Sequence, residues 1–487
     1  MEKLFANLQP AGIWQHFLQL NAIPRASKKE QQVIEFMAAF GKSLGLETVI
    51  DHIGNVIIRK PATPGMESRM PVVLQGHLDM VHQKNAGTDF DFVTQGIKMV
   101  VEGDWVKAEG TTLGADNGIG VAAIMTILAS NDVAHPAIDA LFTIDEETGM
   151  TGALELQGGM LNGNILLNLD TEEDTELTIG CAGGIDVTAK GSYIDRPTKK
   201  NVKSYRLTVS GLTGGHSGMD IHLGRGNANK IMNRLLLEII EKTGAQIYSI
   251  DGGGLRNAIP RESVAEMAVS EDVVEIFEAL VKAEADCIIK EYRTTDAALD
   301  ISLSTTAHQP VAIDSEKALA LIRAVYTCPN GIYRMSPDIE HLVQSSNNIA
   351  RVIVRDGEYT VMCLTRSSVD TEKIDLANAI MCAFELVGAN VEFSGSYPGW
   401  TPEPNSSIVK LMRELYETMY HSKPNVNACH AGLECGIIGR NYPKMEMISF
   451  GPNIRGAHSP DEKVQISSVQ KFWDYLLATL KNIPLMQ

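Results

Sequence analysis

The chain has 487 residues, which is enough for two or three domains with sizeable hydrophobic cores. Hydrophobic residues make up 44% and charged residues 21%, a composition typical of a soluble globular protein. The formal net charge of −18 argues against a nucleic-acid partner, which would need a basic surface. We expect no membrane partner either, because the longest apolar stretch, residues 121–129, is too short to span a bilayer.

The seven cysteines are scattered along the chain, and none belongs to a Cys-x-x-Cys pair. This pattern indicates neither a disulfide framework nor a thiolate zinc site, and it fits a reducing compartment. The first residues include Glu2, Lys3 and Gln9 and lack the uninterrupted apolar core of a signal peptide. We therefore predict a cytoplasmic protein.

The first third of the chain alternates between strand and helix patterns. Continuous apolar runs predict buried strands, and apolar residues at helical spacing predict the intervening helices. The predicted helices span residues 31–44 and 116–129, and the predicted strands span 55–59, 72–75, 140–144 and 165–169. This β-α-β order predicts a mostly parallel α/β sheet.

The middle of the chain has a different pattern, in which period-2 strands and separate helices form two similar rounds. The strands are predicted at residues 204–209, 246–250, 264–269, 299–304, 350–354, 359–364 and 390–394. The helices are predicted at residues 227–242, 273–292, 315–327 and 374–387. Such segregation predicts an α+β domain with two related lobes.

After a Pro-rich stretch at residues 397–404 the α/β rhythm returns, with helices over 408–420 and 469–480 and a strand over 444–450. We interpret the Pro-rich stretch as the point where the chain re-enters the first domain. Residues 1–186 and 400–487 are then predicted to form one discontinuous domain, and residues 187–399 an insertion.

Residues that can bind a divalent metal follow several of the predicted strands. Strand ends at one edge of an α/β sheet converge on one crevice, so we expect these side chains to meet there. Imidazole nitrogens and carboxylate oxygens form a hard site that suits zinc, manganese or cobalt. His458 can join such a site only if the C-terminal segment completes the first domain. The candidates are His77, Asp116, Glu146, Glu147, Asp170 and His458, with Asp79 beside His77.

In two of these segments, the spacing of the residues indicates that neighbouring acidic side chains have different roles. Residues i and i+2 of a strand face the same way, so Asp79 can accept a hydrogen bond from the His77 nitrogen that does not bind metal. Of the adjacent Glu146 and Glu147, one can bind metal while the other takes a proton from water. Each candidate alone has an ordinary alternative as a surface residue, loop residue or helix cap, as at Asp116. If all of these alternatives held, five residues able to bind metal would lie at strand or loop ends by coincidence.

Eight motifs carry these residues and other conspicuous ones. They are Gly76-His77-Leu78-Asp79-Met80, Gly114-Ala115-Asp116-Asn117-Gly118, Asp145-Glu146-Glu147-Thr148-Gly149, Asn168-Leu169-Asp170, Gly214-Gly215-His216-Ser217-Gly218, Arg256-Asn257-Ala258-Ile259-Pro260, His430-Ala431-Gly432-Leu433-Glu434-Cys435-Gly436 and Gly456-Ala457-His458-Ser459-Pro460. Together they resemble the motifs of the di-zinc aminopeptidase, carboxypeptidase and aminoacylase superfamily. Within it, the pattern over nearly the whole chain is similar to the bacterial aminoacyl-histidine dipeptidases, also called Xaa-His or β-alanyl-histidine dipeptidases.

The resemblance implies a mostly parallel-sheet di-zinc peptidase domain with an inserted two-lobed α+β lid. It implies two divalent metal ions per chain, zinc by ligand type, with manganese or cobalt also suited. It also implies a cis peptide bond between Asp116 and Asn117. The implied ligands are His77 and Asp170 for one ion, Glu147 and His458 for the other, and Asp116 as the bridge between them.

The resemblance further implies roles in catalysis. Glu146 would be the general base that takes a proton from a water bridged by the two metals, and Asp79 would orient His77. His216, on the inserted domain, would polarise the scissile carbonyl, although a histidine between glycines can also be an ordinary turn residue. The implied substrate-binding residues are Asn257, Arg366 (in Cys363-Leu364-Thr365-Arg366-Ser367) and His430.

The implied reaction is hydrolysis of Xaa-His dipeptides, including carnosine-like β-alanyl-histidine. One alternative is a related amidohydrolase on the same site, either an N-acyl amino acid deacylase or a tripeptidase. Another is a non-catalytic peptide-binding protein, which the presence of Glu146 and of every candidate ligand disfavours. The insertion has about twice the size that a single α+β lobe needs. His216 can therefore act within one chain or across a homodimer formed through the lid.

Overall fold

The structure is a computed structural model, and it describes Phe5 and residues 7–486. Contacts within the chain divide it into two compact units. The first unit consists of the described residues up to Gly180, together with Trp400–Ala428 and the residues from Leu433 onward. The second unit consists of Cys181–Gly399 and Cys429–Gly432. Among the described residues, no helix is both long and apolar enough to cross a bilayer.

The N-terminal part of the first unit alternates strands with helices, as the sequence predicts. Its helices are α1 (Ala11–Asn21), α2 (Gln31–Ser43), α3 (Ala115–Ala129), α4 (Glu146–Gly149) and α5 (Thr151–Glu155). Its strands are β1 (Glu47–Ile50), β2 (Val56–Lys60), β3 (Val72–His77), β4 (Met99–Glu102), β5 (Trp105–Ala108), β6 (Ile138–Thr143), β7 (Ile165–Asn168) and β8 (Glu176–Cys181).

The middle of the chain forms the second unit. Its strands are β9 (Gly183–Ser192), β10 (Asp195–Pro197), β11 (Val202–Ser210), β12 (Gln246–Gly253), β13 (Ser263–Ser270), β14 (Asp300–Thr305), β15 (Val311–Ile313), β16 (Gly331–Met335), β17 (Val343–Arg355), β18 (Glu358–Ser367) and β19 (Asn390–Tyr397). Its helices are α6 (Ala228–Thr243), α7 (Val274–Tyr292), α8 (Ser315–Thr327) and α9 (Asp370–Glu385).

The C-terminal part of the chain returns to alternating helices and strands. The helices are α10 (Ser407–Tyr420), α11 (Glu434–Asn441) and α12 (Ile466–Asn482). The strands are β20 (Asn425–Cys429), β21 (Glu446–Ser449), β22 (Ile454–Arg455) and β23 (Lys463–Gln465).

Within the described residues, an eight-stranded sheet forms the centre of the first unit, in the order β1-β2-β6-β3-β7-β21-β8-β20. The central strands β6, β3, β7 and β21 run parallel, while β1 and β2 pair antiparallel at one side. The predicted α/β sheet with a parallel centre is thus confirmed, and antiparallel pairs flank that centre, with β8 antiparallel to β21 on the other side. Every residue of β3, β6 and β7 is buried, as continuous apolar runs predict. Because β21 lies beside β7, the C-terminal segment completes the middle of this sheet.

Residues 181–399, all of which the structure describes, contain a nine-stranded antiparallel sheet in the order β14-β11-β13-β12-β17-β18-β9-β19, with β16 paired to β17. The two predicted rounds of strands join where β12 pairs with β17. Buried side chains of α6, α7, α8 and α9 pack with those of the sheet in one cluster. The two rounds therefore share one sheet and one hydrophobic core, an α+β arrangement.

Candidate metal centre

Three adjacent parallel strands and two loops bring the predicted metal-binding side chains together. His77 is the last residue of β3, Glu147 follows β6, and Asp170 lies two residues beyond β7. Because these strands are parallel neighbours, their carboxyl ends lie at the same edge of the sheet. Asp116 belongs to the loop that opens α3, and His458 belongs to the loop between β22 and β23. The peptide bond between Asp116 and Asn117 is cis, as the resemblance implied.

The Asp116 carboxylate lies between the two histidine rings. One of its oxygens is 3.2 Å from Nε2 of His77, and the other is 3.3 Å from Nε2 of His458. Asp170 lies on the His77 side, with its Oδ1 3.4 Å from His77 Nε2. Glu147 lies on the other side, with its Oε2 2.9 Å from His458 Nε2. Among the described residues, three overlapping sets of donor atoms each lie within 4.8 Å of one another, and one of them joins His77 with Glu146 and Glu147. The five predicted ligands make up the other two sets, and Asp116 belongs to both of these.

The distances and the chemistry of these donors fit divalent metal ions. Around tetrahedral zinc with bonds near 2.0–2.1 Å, neighbouring donor atoms lie roughly 3.3 Å apart. The separations in this centre are 2.9–3.4 Å. Two imidazoles with three carboxylates also make a set of nitrogen and oxygen donors that suits zinc, manganese and cobalt.

The electrostatics of the centre favour positive charge. Hydrogen bonds to Asp116 and then to Glu147 raise the pKa of His458 to about 11. Burial disfavours a charged His77 ring, but the charge of Asp170 and hydrogen bonds to Asp116 and Asp170 raise its pKa well above the ordinary value. Burial also disfavours a charged Asp116, yet its bonds to His458 and His77 hold its pKa below the ordinary range. A divalent cation would supply the charge that these carboxylates attract.

Asp79 connects the His77 ring to the turn that carries the two adjacent glutamates. Its Oδ1 is 3.4 Å from Nδ1 of His77, the ring nitrogen that points away from Asp116. It accepts the backbone N–H of Glu146 at 3.0 Å and that of Glu147 at 3.3 Å, and the hydroxyl of Ser27 donates to it at 2.8 Å. Asp79 is completely buried. Nδ1 of His77 makes its hydrogen bond with the backbone carbonyl of Asp79 at 3.2 Å, so the carboxylate is a close neighbour of the ring. The sequence did not indicate its contacts to Glu146 and Glu147.

Glu146 lies beside the donors and its carboxyl is biased toward holding a proton. Burial raises its pKa well above the ordinary value, and the charges of Asp170 and Glu434 add to this effect against the attraction of His77. An oxygen of Glu146 lies within 4.8 Å of donor atoms of His77 and Glu147. A carboxyl with a raised pKa is a better proton acceptor near neutral pH than an ordinary glutamate.

Buried charged residues without a predicted role also surround the centre. The carboxylate of Glu434 accepts hydrogen bonds from Gln75 at 2.6 Å and from Thr143 at 2.7 Å, and burial raises its pKa to about 7. Arg25 and Glu462 are equally buried. Glu434 belongs to a motif that the sequence analysis quoted, whereas no sequence pattern singled out Arg25 or Glu462.

In the second unit, His216 presents a hydrogen-bond donor. Its Nδ1 accepts the backbone N–H groups of Gly218 at 3.2 Å and Met219 at 3.0 Å. Burial and then the charge of Arg366 lower the pKa of His216, which favours the neutral ring. A neutral ring that accepts at Nδ1 carries its proton on Nε2. The predicted His216 is thus a turn residue whose protonated Nε2 faces the guanidinium of Arg366, 3.5 Å away.

Arg366 and Asn257 lie close to the same turn of the second unit. A terminal nitrogen of the Arg366 guanidinium is 3.5 Å from Nε2 of His216, and the other donates to the hydroxyl of Tyr397 at 2.9 Å. The backbone carbonyl of Asn257 accepts the N–H of Ser217 at 2.7 Å. Arg366 is only 4% exposed, so water solvates its positive charge poorly and the charge acts strongly on its neighbours.

His430 belongs to the short segment Cys429–Gly432 that joins the second unit. Its Nε2 lies 2.7 Å from the hydroxyl oxygen of Ser346. Burial, then the charges of Arg366 and His216, lower the pKa of His430 to about 3. The structure therefore places a neutral His430 in the same electrostatic environment as Arg366 and His216.

Comparison with known protein families gives a match over most of the chain. The sequence profile described as Peptidase family M20/M25/M40 matches residues 73–482. The match includes both histidines and all the carboxylates of the metal centre.

Comparison with individual proteins gives near full-length similarity to two relatives. The chain is 42% identical over 480 residues to the cytosol non-specific dipeptidase of Escherichia coli K12, covering 98% of this chain and 99% of the relative. It is also 42% identical to the crystal structure of aminoacylhistidine dipeptidase from Vibrio alginolyticus, with a TM-score of 0.94 and 99% of each chain covered. The aminopeptidase PepT of Bacillus cereus, at 14% identity and a TM-score of 0.58 over 98% of this chain and 99% of that one, shares the fold.

Proposed function

Because the chain belongs to peptidase family M20/M25/M40 and is a metallopeptidase, we propose that it is a cytoplasmic dipeptidase. Its substrates would be Xaa-His dipeptides, including β-alanyl-histidine, cleaved at a centre for two divalent metal ions. Two relatives with 42% identity carry the names cytosol non-specific dipeptidase and aminoacylhistidine dipeptidase, and these names support a dipeptide substrate.

The observation that carries the proposal is the position of Asp116 between the two histidine rings, with one oxygen toward each. A carboxylate in this position suits a bridge between two ions. In the proposal, His77 and Asp170 hold one ion, and Glu147 and His458 hold the other. When bound, such ions would lower the pKa of the attacking water toward neutrality and polarise the scissile carbonyl. We expect zinc from the ligand types, with manganese and cobalt as further candidates.

Glu146 would act as the general base of this reaction. Its carboxylate would accept a proton from the attacking water and then give that proton to the nitrogen of the leaving amine. Asp79 would keep Glu146 in place through the backbone N–H of Glu146 at 3.0 Å, and it would orient His77 at the same time. Asp79 thereby couples the position of the base to the position of a metal ligand.

Residues of the second unit would bind the dipeptide. The Nε2–H of His216 can donate to the oxygen of the scissile carbonyl, where negative charge develops. The guanidinium of Arg366 can pair with the C-terminal carboxylate of the substrate, and Asn257 and His430 would complete this region. In the proposal, residues 187–399 act as a lid over the substrate and also form the contact of a homodimer.

A substrate panel tests the proposed reaction. Purified enzyme loaded with zinc or manganese is incubated separately with β-alanyl-histidine, other Xaa-His dipeptides, dipeptides without histidine, tripeptides and N-acetyl amino acids, and free amino acids are quantified. We expect cleavage of dipeptides, with the highest kcat/KM for Xaa-His. Cleavage of N-acetyl amino acids or tripeptides without cleavage of any dipeptide would replace the proposal by the amidohydrolase or tripeptidase alternative.

The same preparation tests the remaining parts of the proposal. Elemental analysis after metal loading should give two metal ions per chain, and fewer than one would contradict the two-metal centre. Light scattering coupled to gel filtration should give the mass of a dimer, which is about twice the chain mass of 53.0 kDa. A monomer at assay concentration would remove the homodimer from the proposal.

A further inference from the structure

The loop that carries Asp116 is held by a buried carboxylate that belongs to a distant part of the chain. One oxygen of Glu462 accepts the backbone N–H of Leu113 at 2.7 Å and that of Gly114 at 2.9 Å. The other oxygen accepts the N–H of Ala115 at 2.7 Å and that of Asp116 at 3.3 Å. One carboxylate thus accepts four consecutive backbone amides, from Leu113 before α3 to Asp116 in its first turn.

The hydrogen bonds that the Glu462 carboxylate accepts are strong because the carboxylate is buried. The residue is only 2% exposed, so its carboxylate is shielded from water and depends on these amides for its solvation. Hydrogen bonds to an ionised acceptor are stronger than those between neutral groups. The backbone from Leu113 to Asp116 is therefore tightly fixed relative to Glu462.

The same residue also fixes the loop of His458, which it follows by four positions in the chain. That loop is closed by its own hydrogen bonds, from the N–H of Glu462 to the carbonyl of Ser459 at 3.0 Å and from the hydroxyl of Ser459 to the carbonyl of Gly456 at 2.7 Å. Immediately after Glu462, β23 begins and pairs with β5. Glu462 therefore joins a closed loop that carries His458 to the loop that carries Asp116.

A second buried charge joins the Asp116 loop to the end of β3. The guanidinium of Arg25 donates to the carbonyl of Gly114 at 2.5 Å, and to the carbonyls of Leu78 and Asp79 at 3.1 Å each. Gly114, with a φ of 70°, is thus held through its N–H by Glu462 and through its carbonyl by Arg25. A Cβ at this position would lie 2.5 Å from the guanidinium, so the close approach requires glycine.

We propose that Glu462 is a positioning residue that fixes Asp116 between His77 and His458 and thereby sets the affinity of the centre for both metal ions. Arg25 supports the same loop from the side of His77. The inference rests on the proposed two-metal function, because it concerns the spacing of ligands for two ions. Since Asp116 belongs to both sets of donors, a shift of its loop should weaken the binding of both ions.

The test compares Glu462→Gln with a matched control, Asp51→Asn. Asp51 also accepts three consecutive backbone amides, those of Ile53, Gly54 and Asn55, in a turn between β1 and β2. Glu462→Gln places an amide nitrogen against two backbone N–H groups, and Asp51→Asn places one against the side-chain amide of Asn55. Both should therefore lower the thermal unfolding midpoint of the metal-free protein. Zinc affinity is measured by competition with a chromophoric chelator.

We expect Glu462→Gln to weaken zinc binding by about 10- to 100-fold, and Asp51→Asn to leave zinc affinity unchanged. Glu462→Asp keeps the charge but shortens the side chain by one methylene, so it should retain part of the affinity. If Glu462→Gln does not fold, Glu462→Asp carries the test with the same prediction of weaker zinc binding.

Wild-type zinc affinity in a folded Glu462 variant would overturn the inference, and so would an equal loss of affinity in Asp51→Asn. The result is distinguishable from failure of the proposed function. If wild-type protein binds none of zinc, manganese and cobalt, the two-metal proposal itself is wrong. If wild-type protein binds two ions and the Glu462 variants bind them equally well, only the positioning role is wrong.

Discussion

At the scale of single residues, the adjacent glutamates after β6 should respond differently to the same substitution. Glu146→Gln removes the proposed proton acceptor but leaves the five proposed ligands in place, so bound metal should stay at the wild-type level. We expect kcat to fall by about 10²- to 10⁴-fold. Glu147→Gln, the matched control, should instead lose metal. Metal analysis and initial rates on the same preparations check both expectations, and a near-normal kcat for Glu146→Gln would show that another group is the base.

Asp79 offers a second prediction at this scale. Asp79→Ala removes the carboxylate that lies 3.4 Å from His77 Nδ1 and accepts the N–H groups of Glu146 and Glu147, while it keeps the backbone carbonyl that His77 Nδ1 also contacts. We expect zinc affinity to fall by about 10- to 100-fold. Ser27→Ala is the control, since it removes one donor to the same carboxylate and keeps the carboxylate itself. Unchanged zinc affinity and rate in Asp79→Ala would separate this residue from the centre.

The sequence indicated the proposed ligands because each of them follows a recognisable strand or a glycine-rich loop, as His77 and Asp116 do. The residues that hold those segments carry no such signal. Glu462 meets Leu113 across 349 positions of sequence, and it does so through backbone amides that any residue type provides. A pattern of side-chain types identifies chemistry at the ends of strands, whereas contacts to the backbone require the folded chain.

At the scale of secondary-structure elements, glycines between α3 and the strands make close contact possible. A Cβ on Gly120 would lie 2.6 Å from the backbone oxygen of Leu169 and 2.7 Å from the side-chain oxygen of Asn117. Asn117 in turn donates to Asp170. We expect Gly120→Ala to destabilise the protein by about 1–3 kcal/mol and to weaken zinc binding, because the Asp170 segment must move.

Gly158→Ala is the control for this prediction, since the nearest atom to its added Cβ, the backbone oxygen of Asn441, is at an ordinary 3.7 Å. Urea unfolding followed by circular dichroism, with zinc titration of both variants, checks the prediction. Equal stability and equal zinc affinity for the two variants would show that α3 can shift without disturbing the centre.

The existence and order of most elements could be predicted from apolar periodicity, and the four parallel central strands follow from the β-α-β pattern. The pairing of β12 with β17 could not, because both strands have the same period-2 pattern as their other neighbours. The sequence pattern also could not predict the antiparallel pairing of β1 with β2 and of β2 with β6. A strand pattern states which side chains are buried but not which strand lies alongside.

At the scale of the whole molecule, the first unit is assembled from both ends of the chain. Strand β21 lies between β7 and β8, so a strand from residues 446–449 completes a sheet that residues 47–181 begin. The metal centre also combines residues of both chain segments, because His458 comes from the C-terminal segment and the other donors come from the N-terminal one. Metal binding should therefore stabilise the connection between the two segments as well as the local loops.

Removal of metal tests this coupling. A ligand that binds only the folded state at 100 times its dissociation constant adds about 2.7 kcal/mol of stability, which corresponds to a rise in Tm of roughly 5–10 °C for a domain of this size. We expect a chelator to lower the Tm of wild-type protein by such an amount and added zinc to restore it.

Asp116→Ala, which removes the proposed bridge, should show little response to either treatment. The two segments meet at the metal centre, so the shift should appear equally in the far-ultraviolet signal of the sheet and in tryptophan fluorescence, to which Trp105 on β5 beside β23 contributes. A wild-type Tm that is the same with and without zinc would show that the segments are held together by the sheet alone.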